Sequence, residues 1–246
     1  MKKYYRPLNE CFIQKKIAHR GLHSETVIEN SLQAFARAID GGFAIEIDVQ
    51  LLADGELAVV HDSNLQRVTG IDKAVGELSS ADLENYPLLL NGGKIPTLKE
   101  TLAFIDGRAP LLIELKFDGG FDKRLVDSLL EQLKEYPYKD KIALQSFHPL
   151  AVKYLKKRSF EYSVGFLATY QIDRGAFVQY LCKSLAMFAH IRADFMSYDI
   201  DYLPNKYVTK RQKKGFQLLT WTVNSEEKLQ KALRVADNII FENIEV

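Results

Sequence analysis

From Ile17 onward, short runs of aliphatic and β-branched residues alternate with longer segments whose apolar residues recur at helical spacing. The short runs read as strands and the longer segments as amphipathic helices. Strand-like runs fall at 17–20, 44–50, 111–116, 141–147, 162–168, 195–200, 216–223 and 238–241. Helix-like segments fall between them, at 29–40, 97–105, 121–136, 149–158, 174–191, 205–214 and 225–235. Several carry end signals: Gly41-Gly42, Pro137 and Gly215 follow helices, and Thr97-Leu98-Lys99-Glu100 has capping-box spacing. Eight strands with intervening helices predict an α/β fold, a (β/α)8 TIM barrel occupying 1–246 as one domain. A doubly wound open sheet gives the same alternation and is the rival reading.

Two places break the rhythm. Between Asp62 and Pro96 lie more than thirty residues where a barrel needs only a few, so this stretch reads as an insertion after the second strand. It holds turn chemistry at Thr69-Gly70 and Asn91-Gly92-Gly93, and it reads as a lid or a structural flap. After Phe241 only five residues remain, so the last helix is expected to be missing or reduced.

A ninth strand-like run, 57–61, returns from the second strand through Asp54-Gly55. A parallel pair needs a crossover of a dozen or more residues, so this run lies outside the parallel set. Read as a two-residue type I′ loop, Asp54-Gly55 pairs positions whose numbers sum to 109 and sets Asp48 opposite His61. Glu46 then shares their face, while Ile45, Ile47 and Val49 point the other way. Two carboxylates on one half-buried face repel unless a cation lies between them, and a hard divalent ion, Mg²⁺ or Ca²⁺, resolves the conflict.

Composition narrows the class. Apolar residues make up 47% of 246 positions, ample for a core, and 33 Lys plus Arg against 32 Asp plus Glu leave a net charge of +1. Nucleic-acid binding through phosphates needs a basic excess, so no nucleic-acid partner is expected. The basic runs 153–158 and 206–214 read as solvated helix faces. Two isolated thiols, Cys11 and Cys182, fit a reducing compartment. The N-terminus lacks an apolar signal region, and no run approaches a membrane span, so the reading is a soluble cytoplasmic protein.

The working end of such a barrel is the carboxyl end of its strands. The first strand ends in His19-Arg20-Gly21, the second carries Glu46 and Asp48, and the third carries Glu114 and Lys116. The set suits a phosphate diester. Glu46, Asp48 and Glu114 would hold the ion, Arg20 and Lys116 would meet phosphoryl oxygens, and His19 and His61 would move protons.

In order, IAHRG, Glu29-Asn30-Ser31, EIDVQLLADGELAVVHD, IPTLKETL, LLIELK, LQSF and TWTVN resemble the glycerophosphodiester phosphodiesterase family from Ile17 to Phe241. The resemblance implies a TIM barrel hydrolysing a small-molecule glycerophosphodiester to glycerol 3-phosphate and an alcohol. It implies acid–base roles for His19 and His61, metal-ligand roles for Glu46, Asp48 and Glu114, and phosphate contacts for Arg20 and Lys116. Glu29 matches an acid that supports the site, and Trp221 an aromatic near the substrate pocket. Ile28 stands where the family usually has proline, and Glu242-Asn243 where it commonly has Thr-Asp. A lysophospholipase D of the same barrel type is the alternative enzyme, with Tyr86-Pro87-Leu88-Leu89-Leu90 either an acyl entry or the insertion's own core. A catalytically silent phospho-ligand-binding barrel is the non-enzymatic alternative, and two retained histidines count against it.

Overall fold

A computed structural model describes residues 5–90, 93–170 and 185–246. Cys182, Asn91, Gly92 and residues 174–184 of the expected helix lie outside the described residues. The strands are β1 (Ile17–Ala18), β2 (Ala44–Leu51), β3 (Leu57–Val59), β4 (Leu111–Leu115), β5 (Ile142–Ser146), β6 (Ser163–Ala168), β7 (Phe195–Asp199), β8 (Leu218–Val223) and β9 (Asn238–Phe241). Their order is β1-β9-β8-β7-β6-β5-β4-β2-β3, and β1 also pairs with β2. Leaving out the antiparallel β3, that order is cyclic. The fold is the (β/α)8 barrel, and the open-sheet rival falls because an open sheet has two unpaired edges. Burial of nearly every residue of β2, β4 and β5 explains their continuous apolar runs, since in a closed barrel helices cover the outer face and the strands' own side chains fill the interior.

The chain divides into two compact units, Ala18–Ile142 and Met1–Ile17 with Ala143–Val246. In the first, β2 and β4 run parallel with Asp48 beside Glu114 and Glu46 beside Leu112. Helix Leu32–Asp40 starts later than expected, because Ser31 is its cap and accepts from the Ala34 amide. Helix Leu98–Ile105 opens with the expected reciprocal cap between Thr97 and Glu100. Segment 62–96 folds as helix Gln66–Thr69 and two 3₁₀ turns, Val75–Glu77 and Ser80–Asn85. These enclose Leu65, Val68, Val75, Leu78, Leu83, Leu88 and Ile95 against Leu52, Ala58 and Val60 of the hairpin. Leu88 is thus core, whereas Leu89 and Leu90 are 45% and 49% exposed.

In the second unit the sequence reading missed helix Cys11–Gln14, a single turn too short to show a period. The Asn238 amide fastens it to β9 by donating to the carbonyls of Phe12 at 2.7 Å and Lys15 at 2.6 Å. The basic run 153–158 is not wholly solvated: Lys156 is buried and pairs with buried Asp194 at 2.6 Å. Asp194 also accepts from the amides of Arg6 and Val164, so the pair has the extra hydrogen bonds that buried charges require. Residues 242–246 follow β9 without a helix.

Candidate active site

The first strand is two residues long, so His19 and Arg20 stand in the turn beyond it. Arg20 and Gly21 both have positive φ, 54° and 79°. A Cβ at Gly21 would come within 2.9 Å of Ala34 and Phe35, so only glycine lets helix Leu32–Asp40 lie this close. The turn aims the Arg20 amide at Glu46 Oε2, 3.0 Å away. Its guanidinium meets Glu29 at 2.8 Å and Asp48 at 3.4 Å.

Glu29 lies before the helix rather than in it, and Asn30 follows with φ 51°. Asn30 is a site residue that sequence reasoning passed over. Its amide donates to Asp48 Oδ2 at 2.9 Å, and its own backbone N–H donates to the Arg20 carbonyl. The signal was present in the quoted Glu29-Asn30-Ser31, since asparagine is the side chain best suited to a left-handed turn.

The hairpin register differs from the expected one. Val49 faces Val59, Gln50 faces Ala58 and Leu51 faces Leu57, so paired numbers sum to 108. The Val60 amide donates to the Asp48 carbonyl, which puts Val60, not His61, opposite Asp48. The loop has three residues: Gly55 N–H closes a turn on the Leu52 carbonyl, Leu52 N–H reaches the Glu56 carbonyl, and only Gly55 has positive φ, 87°. That is a type I turn ending in a left-handed glycine rather than type I′. His61, one residue past the Val60–Asp48 bond that ends the ladder, still lies close enough to Asp48 and Lys116 to feel their charges. The Gln50 side chain, also missed from sequence, donates to the carbonyls of Val60 and His61 at 3.2 and 2.8 Å and holds that backbone in place.

Glu46, Asp48 and Glu114 are buried, and one oxygen from each lies within 4.8 Å of the others. Lys116 Nζ stands 2.6 Å from Glu114 and 3.2 Å from Asp48. Burial raises all three carboxyls first, and the charges then divide them. Lys116, Arg20, His61 and His19 hold Asp48 well below the ordinary range in spite of burial. Glu46 is driven well above it by burial and by its two carboxylate neighbours. Burial, only partly offset by Lys116, lifts Glu114 as well. Asp48 Oδ1 and Glu114 Oε1 are buried without a well-directed hydrogen bond. An all-oxygen set with two such atoms fits a hard divalent cation.

Burial lowers the His61 imidazole from its ordinary value; Lys116 and Arg20 add to this, while Asp48 and Asp62 oppose it. His61 Nδ1 lies 2.6 Å from Asp62 Oδ1. Beside His61 and Lys116 opens a cleft of about 730 Å³, walled by Asp62, Asn64, Arg67, Asp72, Phe117 and Asp118 among others.

Eight of the nine residues singled out from sequence, His19, Arg20, Glu29, Glu46, Asp48, His61, Glu114 and Lys116, lie in the unit Ala18–Ile142. Trp221 belongs to the other unit, where it packs edge-on against Phe147 with ring centres 5.3 Å apart.

A parallel barrel bearing buried carboxylates, two cations and two histidines defines a hydrolase of phosphate diesters. Residues 19–245 match the Glycerophosphoryl diester phosphodiesterase family. A glycerophosphodiester phosphodiesterase of Caldanaerobacter subterraneus subsp. tengcongensis is 30% identical over 238 residues, spanning 93% of this chain and 94% of the relative. A phosphodiesterase of Oleispira antarctica, solved with the product sn-glycerol-3-phosphate, superposes with a TM-score of 0.77 at 24% identity, covering 92% of this chain and 91% of its own. A lysophospholipase D of Mus musculus is 31% identical over 137 residues, 50% of this chain and 43% of that protein. The chain belongs to the glycerophosphodiester phosphodiesterase family.

Proposed function

We propose that this enzyme hydrolyses small, water-soluble glycerophosphodiesters to glycerol 3-phosphate and an alcohol, with divalent-metal assistance and two histidines moving the protons. We read 1–246 as one catalytic domain with 62–96 as its insertion. The carrying observation is the buried trio Glu46, Asp48 and Glu114, whose oxygens converge within 4.8 Å beside Lys116 and Arg20. Bound there, Mg²⁺ or Ca²⁺ would supply positive charge to the phosphoryl oxygens. Arg20 offers a planar fork to two oxygens and Lys116 a point charge. His19 and His61 serve the attacking and leaving oxygens, since imidazoles titrate near neutrality. Glu29 holds the Arg20 guanidinium through its 2.8 Å contact. Trp221 is assigned to the substrate pocket; its buried indole N–H has no hydrogen-bond partner among the described residues and is free to donate.

Ten of the eleven residues around the cleft carry polar side chains, Phe117 being the exception, which supports a hydrophilic alcohol as the leaving group. The lysophospholipase D reading keeps some support from exposed Ile71, Leu89 and Leu90 on segment 62–96. Near-neutral net charge supports a small-molecule substrate and no nucleic-acid partner. Among the described residues no helix is long and apolar enough to cross a membrane, and the two isolated cysteines support a cytoplasmic location.

The test is release of glycerol 3-phosphate from glycerophosphocholine and glycerophosphoethanolamine by chelator-stripped protein given back Mg²⁺, Ca²⁺ or Mn²⁺ separately. Turnover restored by one ion is expected. Turnover that survives stripping undiminished would sink the metal role, and inactivity on both diesters with every ion would overturn the substrate assignment.

A further inference from the structure

We infer that Asp62 and Arg67 are positioning residues for His61, and that segment 62–96 acts as a buttress for that histidine as well as a wall of the cleft. This rests on the proton-transfer role proposed for His61. Asp62 divides its carboxylate between two partners: Oδ1 lies 2.6 Å from His61 Nδ1, and Oδ2 lies 2.6 Å from Arg67 Nε. The remaining edge of the Arg67 guanidinium is taken by Glu29, with Nη1 to Oε2 at 2.9 Å and Nη2 to Oε1 at 2.8 Å. Each of the three guanidinium nitrogens of Arg67 therefore faces a carboxylate oxygen, which orients the plane of the group.

The direction of the His61 bond follows from charge. A carboxylate paired with a guanidinium stays ionised and can only accept, so Nδ1 of His61 carries the proton and donates it. Nε2 is then the nitrogen left for proton exchange with substrate. The network also runs on into the carboxylate cluster: Glu29 takes Arg20 Nη1 at 2.8 Å, and the Arg20 amide donates to Glu46. His61 is thus tied to the cluster through Asp62, Arg67, Glu29 and Arg20, which come from three separate segments.

Arg67 is anchored from below. Its neighbour Val68 is buried in the core of segment 62–96, and the Thr69 hydroxyl donates to the Leu65 carbonyl, closing the turn that presents it. An isolated half-exposed arginine pair contributes little to stability, but a bidentate pair inside a network is the geometry in which such pairs hold a neighbour in place.

The experiment uses the full chain, metal-loaded, with Asp62→Asn, Arg67→Gln, Arg67→Lys, His61→Ala and Lys73→Ala. Lys73 pairs with exposed Glu77 in the same segment, away from His61, and controls for damage to that segment. Asp62→Asn and Arg67→Gln should lower kcat by about 10- to 100-fold, the usual loss when an orienting outer partner is removed. KM should stay within about twofold, because the lost interaction is not a substrate contact. Arg67→Lys should recover part of kcat, and Lys73→Ala should match wild type. In ¹⁵N spectra of His61, the Nδ1-protonated form should dominate in wild type and lose ground in Asp62→Asn and Arg67→Gln. Inactive His61→Ala with fully active Asp62→Asn and Arg67→Gln would overturn this inference alone. Fully active His61→Ala would overturn the parent reading and this one with it. An unchanged His61 tautomer, or an equal loss in Lys73→Ala, would assign the effect to folding and overturn the positioning role. Should Arg67→Gln fail to fold, the near-isosteric Asp62→Asn decides by the same two readouts.

Discussion

Asp48 shows how one side chain collects its surroundings: Asn30, Arg20 and Lys116 all converge on it. Asn30→Ala removes a hydrogen bond to a buried carboxylate and should destabilise the fold by about 1–3 kcal/mol, measured by urea denaturation. The glutamates predict a pH effect. Burial foremost pushes Glu114 up to about 7 from 4.5 and drives Glu46 up too. A raised carboxyl keeps its proton longer in the folded state. Its contribution to stability is therefore full below the unfolded value and is lost as pH rises through the folded one. Chelator-stripped protein should accordingly lose Tm between pH 5 and 8 through these groups. Restored divalent ion should raise Tm more at pH 8 than at pH 5, where protons compete for the same oxygens. Equal stabilisation by the ion at both pH values would count against the trio as its ligands. The residue types for this chemistry stood out in the sequence because charged groups interrupted apolar strand runs. Asn30 did not, since a polar residue beside a helix start is ordinary and its partner is 18 positions away.

The hairpin and the first turn show two uses of glycine. Gly55 has positive φ but open space around it, so Gly55→Ala should cost only the backbone strain, about 1–2 kcal/mol. Gly21 has both positive φ and neighbours at 2.9 Å, so Gly21→Ala should cost more than Gly55→Ala and lower activity by displacing Arg20. Paired thermal melts and turnover rates check both, and a larger loss at Gly55 would contradict the packing account. Asp-Gly correctly marks the hairpin but is compatible with a two-residue or a three-residue loop. A half-solvated strand would settle the register, because a one-residue slip exposes its apolar face. Every residue of β2 but Leu51 is buried, so hydrophobic alternation has nothing to distinguish. The Thr97–Glu100 cap was legible, because a capping box depends only on neighbours within one turn.

The family, the barrel and the cleft together set the expected substrate range. Asp62, Asn64, Asp72 and Asp118 offer hydrogen-bond partners along the cleft that a hydrophilic alcohol can use and an acyl chain cannot. Choline release from glycerophosphocholine should therefore exceed that from lysophosphatidylcholine by more than about tenfold in kcat/KM. A reversed preference would shift the assignment to the lysophospholipase D type and give exposed Leu89 and Leu90 a role in lipid contact. By itself the sequence determined the strand–helix alternation, the interruption at 62–96 and the identity of the charged groups, because periodicity, caps and misplaced charges are local properties of a chain. Tertiary structure alone decided that Asp48 lies beside Glu114, that Asn30 holds Asp48, and that Arg67 reaches back 38 positions to Glu29. Those pairings depend on which segments close on one another, and the closure is set by packing between segments distant in sequence, which no local pattern encodes.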